Sequence, residues 1–288
     1  MSFSAPKVGI IVLNYNGQSC LLQCLESLLR LDYQNFFLVI VDNASEDGSL
    51  LLAKQRFPEQ HFIAHNKNGG FATGMNIGIT AALARGAQYV WLFNNDAITS
   101  KDALTSLIAA AQECPRAGLL SPYIFETEGG KLWFGKGIIS FFRMRTTHVL
   151  PSPAEWAQKW HESEFLTGCA LLIKKEVLAT VGALDERFFL YYEDADLSIR
   201  ARKGGFLSLA VPDAHVFHSE QSQENPKKLY HLVLSGLLFF DKHSHSWRRP
   251  YFLLYGTMRK LKNTIDVAFG KKNALIVRQA FDSFCHDR

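Results

Sequence analysis

The chain has 288 residues, 48% of them apolar, which excludes a disordered protein and leaves room for one large core or two modest ones. Its formal net charge of +4 is unevenly spread: residues 225–288 hold twelve Lys or Arg against four Asp, a balance of +8, which leaves −4 on residues 1–224. A mildly acidic body with a basic tail argues against nucleic acid as the main ligand, and five scattered cysteines without metal-like spacing fit a reduced, cytoplasmic setting.

The opening "MSFSAPKVGI" has no basic flank leading into an apolar run and a small-residue cleavage site, so no export signal is expected. "KVGIIVLNYN" is a near-continuous apolar run that breaks at Asn14, as a central parallel strand would. "GQSCLLQCLESLLRL" then sets Leu21, Leu22, Leu25, Leu28 and Leu29 on one helical stripe. "FFLVIVDNASEDGS" repeats the scheme, with a strand ending at Asp42 and Asn43 and a helix carrying Leu50 to Ala53. After a short piece near Phe62 to Ala64, "HNKNGGFATGMNIGITAALARGA" reads as a glycine-rich turn feeding a helix, and "YVWLFNNDAIT" as the next strand. Strand and helix units in this alternation assemble as a parallel sheet with right-handed crossovers.

Three strands thus end in polar clusters, at Asn14 to Asn16, Asp42 to Asn43 and Asn94 to Asp96. A buried strand carries apolar side chains on both faces, so amides and carboxylates in a row belong where it leaves the sheet. In open α/β sheets those carboxyl ends form the ligand crevice, and the three clusters are expected to face one site.

Past Gly118 the pattern loosens into the short strands "GLLSPYIF", "KLWFGKGIISFF" and "FLTGCALLIKK", a mixed extension of the sheet. A helix is expected from near Glu193 to Gly204 and Gly205, then a strand delivering His215 and His218. Two or three helices follow from Pro226. Their most apolar piece, "LYHLVLSGLLFF", is about a dozen residues, short of the ~20 a membrane span needs.

Gly69, Gly70, Gly74 and Gly78 suggest a phosphate-binding turn, but the spacing is not G-x-G-x-x-G and the segment does not follow the first strand, so a nicotinamide enzyme is disfavoured. The alternative is that these glycines let a helix pack closely on the sheet. Asp42 could read a base or ribose, or simply cap the turn after it. In "YYEDADLSIR" Asp196 is read as the i,i+4 partner of Arg200, whereas Glu193 and Asp194 could present a carboxylate to a cleft, where desolvation suits it to general-base work. His218, beside a cation held by Asp96, would complete a mixed N/O site.

In order and at these intervals, "VGIIVLNYNGQSCLLQCLESL", "VIVDNASEDGS", "NGGFATGMNIGI", "WLFNNDAI", "FLTGCALLIKKEVL" and "ERFFLYYEDADLSIRARKGG" resemble the inverting glycosyltransferases of family 2, in particular the rhamnosyltransferase-like branch that builds cell-surface polysaccharide and lipopolysaccharide. The resemblance covers roughly residues 7–220 and implies the nucleotide-diphospho-sugar transferase (GT-A) fold, an α/β fold with a mostly parallel central sheet flanked by helices. It implies a catalytic domain over 1–224, with a nucleotide-binding half to about 117 and an acceptor half from 118; the basic amphipathic helical extension over 225–288 is read from the tail's own composition.

By the same resemblance, Asn14 and Asn16 lie in the first nucleotide loop, Asp42 with Asn43 reads the base, and Asn68, Gly69, Gly70 and Asn76 lie near ribose and diphosphate. "NND" stands where the family has DxD, so Asn94 replaces the first acid, Asn95 lies between, and Asp96 is the acidic ligand for Mg2+ or Mn2+, with His218 as a second ligand. Asp194 matches the general base, with Glu193 beside it. The implied reaction is metal-dependent transfer of rhamnose or another hexose from a UDP- or dTDP-linked donor to a saccharide hydroxyl, the acceptor in many members being lipid-linked.

The tail "KKLYHLVLSGLLFFDKHSHSWRRPYFLLYGTMRKLKN" mixes Lys and Arg with aromatic and aliphatic residues, a composition suited to peripheral contact with the inner face of the cell membrane. A solvated helical cap or a homodimer contact is the competing reading. Two other functions compete with transfer: a non-catalytic sugar-nucleotide binder, suggested by Asn94, and a nucleotidyltransferase, disfavoured because "LNYNGQS" supplies no glycine-rich loop after the first strand.

Overall fold

A computed structural model describes residues 5–219, 225–245 and 247–286. Its first half runs β1 (Val8–Asn14), α1 (Leu21–Leu28), β2 (Phe36–Asp42), α2 (Ser49–Arg56), β3 (His61–Ala64), α3 (Gly70–Ala84) and β4 (Tyr89–Asn94), followed by β5 (Ala97–Thr99) and α4 (Ala103–Glu113). Strands β3, β2, β1 and β4 lie side by side and all parallel. Val8, Ile10, Ile11 and Val12 on β1, and Val90 to Phe93 on β4, are shut from solvent on both faces, which explains why these strands read as unbroken apolar runs.

Helix α3 sits unusually close to this sheet. A Cβ on Gly74 would come within 2.4 Å of Leu13, and one on Gly78 within 2.2 Å of Ile11, so these two glycines let helix and strand touch. Leu51 and Leu52 of α2, expected among the apolar positions of that helix, are exposed; Ser49 and Ala53 are the residues α2 buries.

The second half continues with β6 (Ala117–Glu126), β7 (Leu132–Phe134), the hairpin strands β8 (Lys136–Ser140) and β9 (Arg145–Val149), α5 (Pro153–Trp156), β10 (His161–Glu162), β11 (Ala170–Lys174), α6 (Lys175–Val181), α7 (Glu193–Lys203) and β12 (Leu207–His218). Here the sheet turns mixed, as expected: β11 is antiparallel to both β4 and β6, and β12 is parallel to β6. Strands β8 and β9 form a separate two-stranded ribbon.

Three helices close the chain, α8 (Pro226–His243), α9 (Arg249–Ala268) and α10 (Ala274–His286). Helix α8 joins the main core through Phe239 and Phe240, which pack on Tyr192 at centroid distances of 5.1 and 6.0 Å. Its end is pinned by charge, since Asp196 of α7, wholly buried, meets Arg200 Nε at 2.7 Å, Lys242 Nζ at 2.5 Å and His243 Nε2 at 2.8 Å. Lys242 also reaches Asp185 at 2.7 Å. Against the cost of burial, the His243 and Lys242 hydrogen bonds and Arg200 hold the Asp196 carboxyl below its ordinary range. The i,i+4 pair with Arg200 expected from sequence is present; the anchors on α8 are additional.

Candidate active site

Strand register aligns the polar ends. Asn14 is paired with Asp42 across β1 and β2, and Leu13 with Asn94 across β1 and β4, so three strand termini lie in one row where β1 switches between neighbours. Asn14, fully buried, ties the row together. Its Nδ2 donates to Asp42 Oδ1 at 2.8 Å, Ser45 Oγ at 3.0 Å and Ser49 Oγ at 2.8 Å, while its Oδ1 accepts from Asn95 Nδ2 at 3.0 Å. Asp42 also accepts the Ser45 N–H at 3.0 Å, so both oxygens of this buried carboxylate shape the crevice floor. Exposed Asn16, in the left-handed region at φ 52°, accepts the Glu46 N–H at 2.9 Å and fastens the first loop to the second.

Asn43 continues the floor toward α3. Its Nδ2 donates to Asn68 Oδ1 at 2.9 Å and Gly70 O at 3.1 Å, and its Oδ1 accepts the Gly69 N–H at 3.1 Å. Gly70 has φ +83°, and a Cβ there would strike Phe189 O at 2.4 Å, so glycine is required both for the turn and for the approach of the 189 loop. Asn76 stands apart from this group: its amide donates to Leu184 O and Glu186 Oε1, both at 2.9 Å, and accepts from Leu184 N at 3.0 Å, bracing α3 against the loop after α6.

At the end of β4, Asn94 Nδ2 lies 3.5 Å from His218 Nε2, and that nitrogen is 3.0 Å from Asp96 Oδ1. The Asp96 oxygen is buried and close to the imidazole without an aligned hydrogen bond, so an oxygen and a nitrogen donor crowd one point. Burial opposes charge on His218, but the Cys169 sulfur and Asp96 push its pKa up to about 11; a cation bound there would exchange with that proton. No cluster of three His, Cys, Asp or Glu among the described residues could hold a metal, so Asp96 and His218 fit Mg2+ or Mn2+ only with diphosphate oxygens and water completing the shell.

The acidic pair on α7 is joined to this crevice by two residues of backbone. The Gly168 N–H donates to Asp194 Oδ2 at 2.9 Å, and the next residue, Cys169, accepts the Asn94 N–H at 2.9 Å. Asp194 is partly exposed and takes a second bond from the Ala195 N–H at 2.7 Å. Burial raises its pKa against those two donors. Glu193 is buried with Oε2 unpartnered, and burial together with the neighbouring Asp194 charge raises its pKa well above the ordinary glutamate value.

Sequence reasoning did not foresee how this pair is presented. Tyr191 and Tyr192 both adopt positive φ, 71° and 69°, an unfavourable conformation for aromatic residues immediately before α7. Gly236, Phe239 and Phe240 of α8 back the Tyr192 ring, and Ser235 Oγ donates to Leu190 O at 2.8 Å. Two consecutive tyrosines before an acidic pair were the available signal; the α8 anchors carry none, because they are remote in sequence.

Residues 9–182 match the family model described as glycosyl transferase family 2. The chain is 29% identical over 265 residues to N-acetylglucosaminyl-diphospho-decaprenol L-rhamnosyltransferase of Mycobacterium tuberculosis, covering 84% of this chain and 86% of that protein. It is 24% identical over 210 residues to the dTDP-rhamnosyl transferase RfbF of Shigella flexneri, covering 73% and 68%. Among solved structures it resembles the mannosyltransferase PcManGT of Pyrobaculum calidifontis in complex with GDP-Man and Mn2+, at a TM-score of 0.62 and 16% identity, over 98% of this chain and 86% of that one. GalNAc-T7 with UDP, GalNAc and Mn2+ gives a TM-score of 0.70 at 16% identity; this chain, matched over 89% of its length, spans 51% of that one. The GT-A fold, the family match over more than half the chain and the rhamnosyltransferase relatives agree: this protein belongs to glycosyl transferase family 2 and is a glycosyltransferase enzyme.

Proposed function

We propose that this enzyme transfers rhamnose or another hexose, with inversion, from a dTDP- or UDP-linked donor to a hydroxyl of a lipid-linked saccharide during cell-surface polysaccharide synthesis. The observation that supports this reading is the two-residue bridge: Gly168 holds Asp194 while Cys169 holds Asn94, which ties a carboxylate suited to proton transfer to the row formed by the ends of β1, β2 and β4. The nucleotide-binding floor runs from Asn14 and Asn16 through Asp42 and Asn43 to Asn68, Gly69 and Gly70. Asn94, Asn95 and Asp96 face the diphosphate.

Asp194 takes the proton of the acceptor hydroxyl as its oxygen bonds to the anomeric carbon. On the opposite side the bond from that carbon to the donor phosphate oxygen breaks, and its electron pair leaves with the nucleoside diphosphate. Asp96 and His218 would hold Mg2+ or Mn2+, which when bound supplies charge neutralisation for that leaving group. No covalent nucleophile is needed. The relatives support the donor and acceptor classes, one being named for a diphospho-decaprenol-linked N-acetylglucosamine acceptor and the other for dTDP-rhamnose.

Helix α9 supports a membrane-surface location. Leu254, Met258, Leu261, Ile265 and Phe269 recur at helical spacing and are all exposed, flanked by Arg248, Arg249, Arg259, Lys260 and Lys262. An apolar stripe with basic flanks suits the interface of an anionic bilayer. No helix among the described residues is long and apolar enough to cross a membrane. The test of the reaction is acceptor-dependent release of nucleoside diphosphate from dTDP-rhamnose and a panel of UDP-sugars, with Mn2+ and N-acetylglucosaminyl-diphospho-polyprenol. Release with one donor and an inverted glycosidic product supports transfer. Binding of donors with no release under any pairing would overturn it.

A further inference from the structure

The tip of the β8 and β9 ribbon is held against α9 by two hydrogen bonds that span more than 100 residues of sequence. Tyr251 Oη donates to Phe142 O at 2.6 Å and Tyr255 Oη to Arg143 O at 3.2 Å, while Phe142 stacks on Tyr251 with ring planes 13° apart. Between ribbon and helix lies an open depression lined by Phe142, Arg143, Arg145, Tyr251, Tyr255 and Arg259. Three arginines therefore line one hollow, and none has a carboxylate partner among the described residues. Arg259 Nη1 bonds Tyr255 Oη at 3.2 Å, so its position is set by the tyrosine that also fixes the ribbon.

Like charges gathered without counter-ions repel one another and attract anions, and arginine forks match phosphate oxygens in geometry. The hollow is also placed usefully. Tyr192, two residues before Asp194, hydrogen-bonds Thr146 on β9 and lies within electrostatic range of Tyr255, so both the ribbon and α9 neighbour the turn that leads into the proposed base. On the other side, Phe142 is 74% exposed and continues the apolar stripe of α9.

We propose that Arg143, Arg145 and Arg259, with Tyr251 and Tyr255, bind the diphosphate of the lipid-linked acceptor, so that its first sugar extends past Tyr192 toward Asp194 and its lipid chain leaves over Phe142 and α9. This deepens the reading of the enzyme as one that glycosylates a lipid-diphosphate-linked sugar, and rests on it. It makes the ribbon the element that selects diphosphate-bearing acceptors over neutral glycosides.

The test uses the full chain and the variants Arg145→Gln and Arg143→Gln/Arg145→Gln, which alter exposed residues outside the core. With an N-acetylglucosaminyl-diphospho-polyprenol acceptor in neutral detergent, KM should rise roughly tenfold in the single variant and about 100-fold in the double one. Donor KM, and kcat/KM for an octyl glycoside of the same sugar, should stay within twofold of the parent. Equal losses on both acceptors, or no loss on either, would overturn the proposal.

Two further arms separate its sources. Binding of geranyl diphosphate, measured calorimetrically in EDTA to disable the donor site, should weaken by the same factors, with geraniol showing no binding; this stands even if no transfer is found, in which case the reaction assignment fails and the site survives. If instead the variants lose only association with phosphatidylglycerol vesicles while acceptor KM and geranyl diphosphate affinity are unchanged, the arginines serve lipid headgroups and the acceptor site is refuted.

Discussion

Replacing Asp194 by Asn removes the proposed base while preserving its shape, and the structure sets the size of each effect. Both carboxylate oxygens accept backbone N–H groups, Gly168 at 2.9 Å and Ala195 at 2.7 Å. An amide can accept only one of them and turns its own N–H2 toward the other, at a cost of about 1–3 kcal/mol. The amide also relieves the burial penalty that raises the Asp194 pKa, so the two contributions oppose each other. With unfolding entropy of roughly 0.6 kcal/mol/K for a chain of this length, the midpoint of thermal unfolding should move by no more than about 5 °C.

Activity should respond far more strongly, because general-base catalysis is worth roughly 10²–10⁴ in rate, or about 3–5 kcal/mol of barrier. The assay is kcat for nucleoside diphosphate release, run well below both unfolding midpoints and paired with donor affinity, which should change less than threefold. Because burial raises the Asp194 pKa, the parent's rate should fall on the acid side with a midpoint above the ordinary aspartate range, and that limb should vanish in the variant. A variant that turns over within tenfold of the parent would refute the assignment.

Glu193→Gln tests the other half of the pair: its folded pKa is raised, so it costs stability as pH rises above the ordinary glutamate value, and the variant should melt higher than the parent at pH 7 but equally at pH 4. Asp196→Ala should do the opposite, losing about 3–5 kcal/mol by stranding Lys242, His243 and Arg200, or roughly 5–8 °C by calorimetry. Because Asp196 is held low, its contribution is present above the ordinary aspartate value and lost as pH falls through the folded one, so parent and variant should converge in acid. Leu254→Asp combined with Leu261→Asp, both exposed, should leave melting unchanged and cut co-sedimentation with phosphatidylglycerol vesicles at least fivefold; unchanged association would exclude α9 as the docking face.

The row of polar strand ends was legible because its physics is local. A central strand must be apolar throughout, so Asn14, Asp42 and Asn94 stood out as strand ends, and parallel register then aligns them without further information. The glycines of α3 divide between the two readings open to them: Gly74 and Gly78 serve close packing, while Gly69 and Gly70 form the turn at the crevice. For Asn76 nothing in the sequence signals that its amide bonds Leu184 and Glu186, contacts that only the fold brings together.

What was not legible is long-range. The ribbon around Arg143 and Arg145 has no periodicity that marks it, and its partners Tyr251 and Tyr255 lie over 100 residues away. The same holds for Asp196, whose partner Arg200 is a helical neighbour visible in sequence, whereas Lys242 and His243 are brought up by the docking of α8.

The most direct measurement is a crystal structure of the protein with dTDP or UDP and Mn2+. The expected density places the base along the floor from Asn14 to Asn43, the diphosphate on a cation ligated by Asp96 and His218, and the Asp194 carboxylate across the cavity from the terminal phosphate. A nucleotide bound elsewhere, or a bound cation that touches neither Asp96 nor His218, would contradict it.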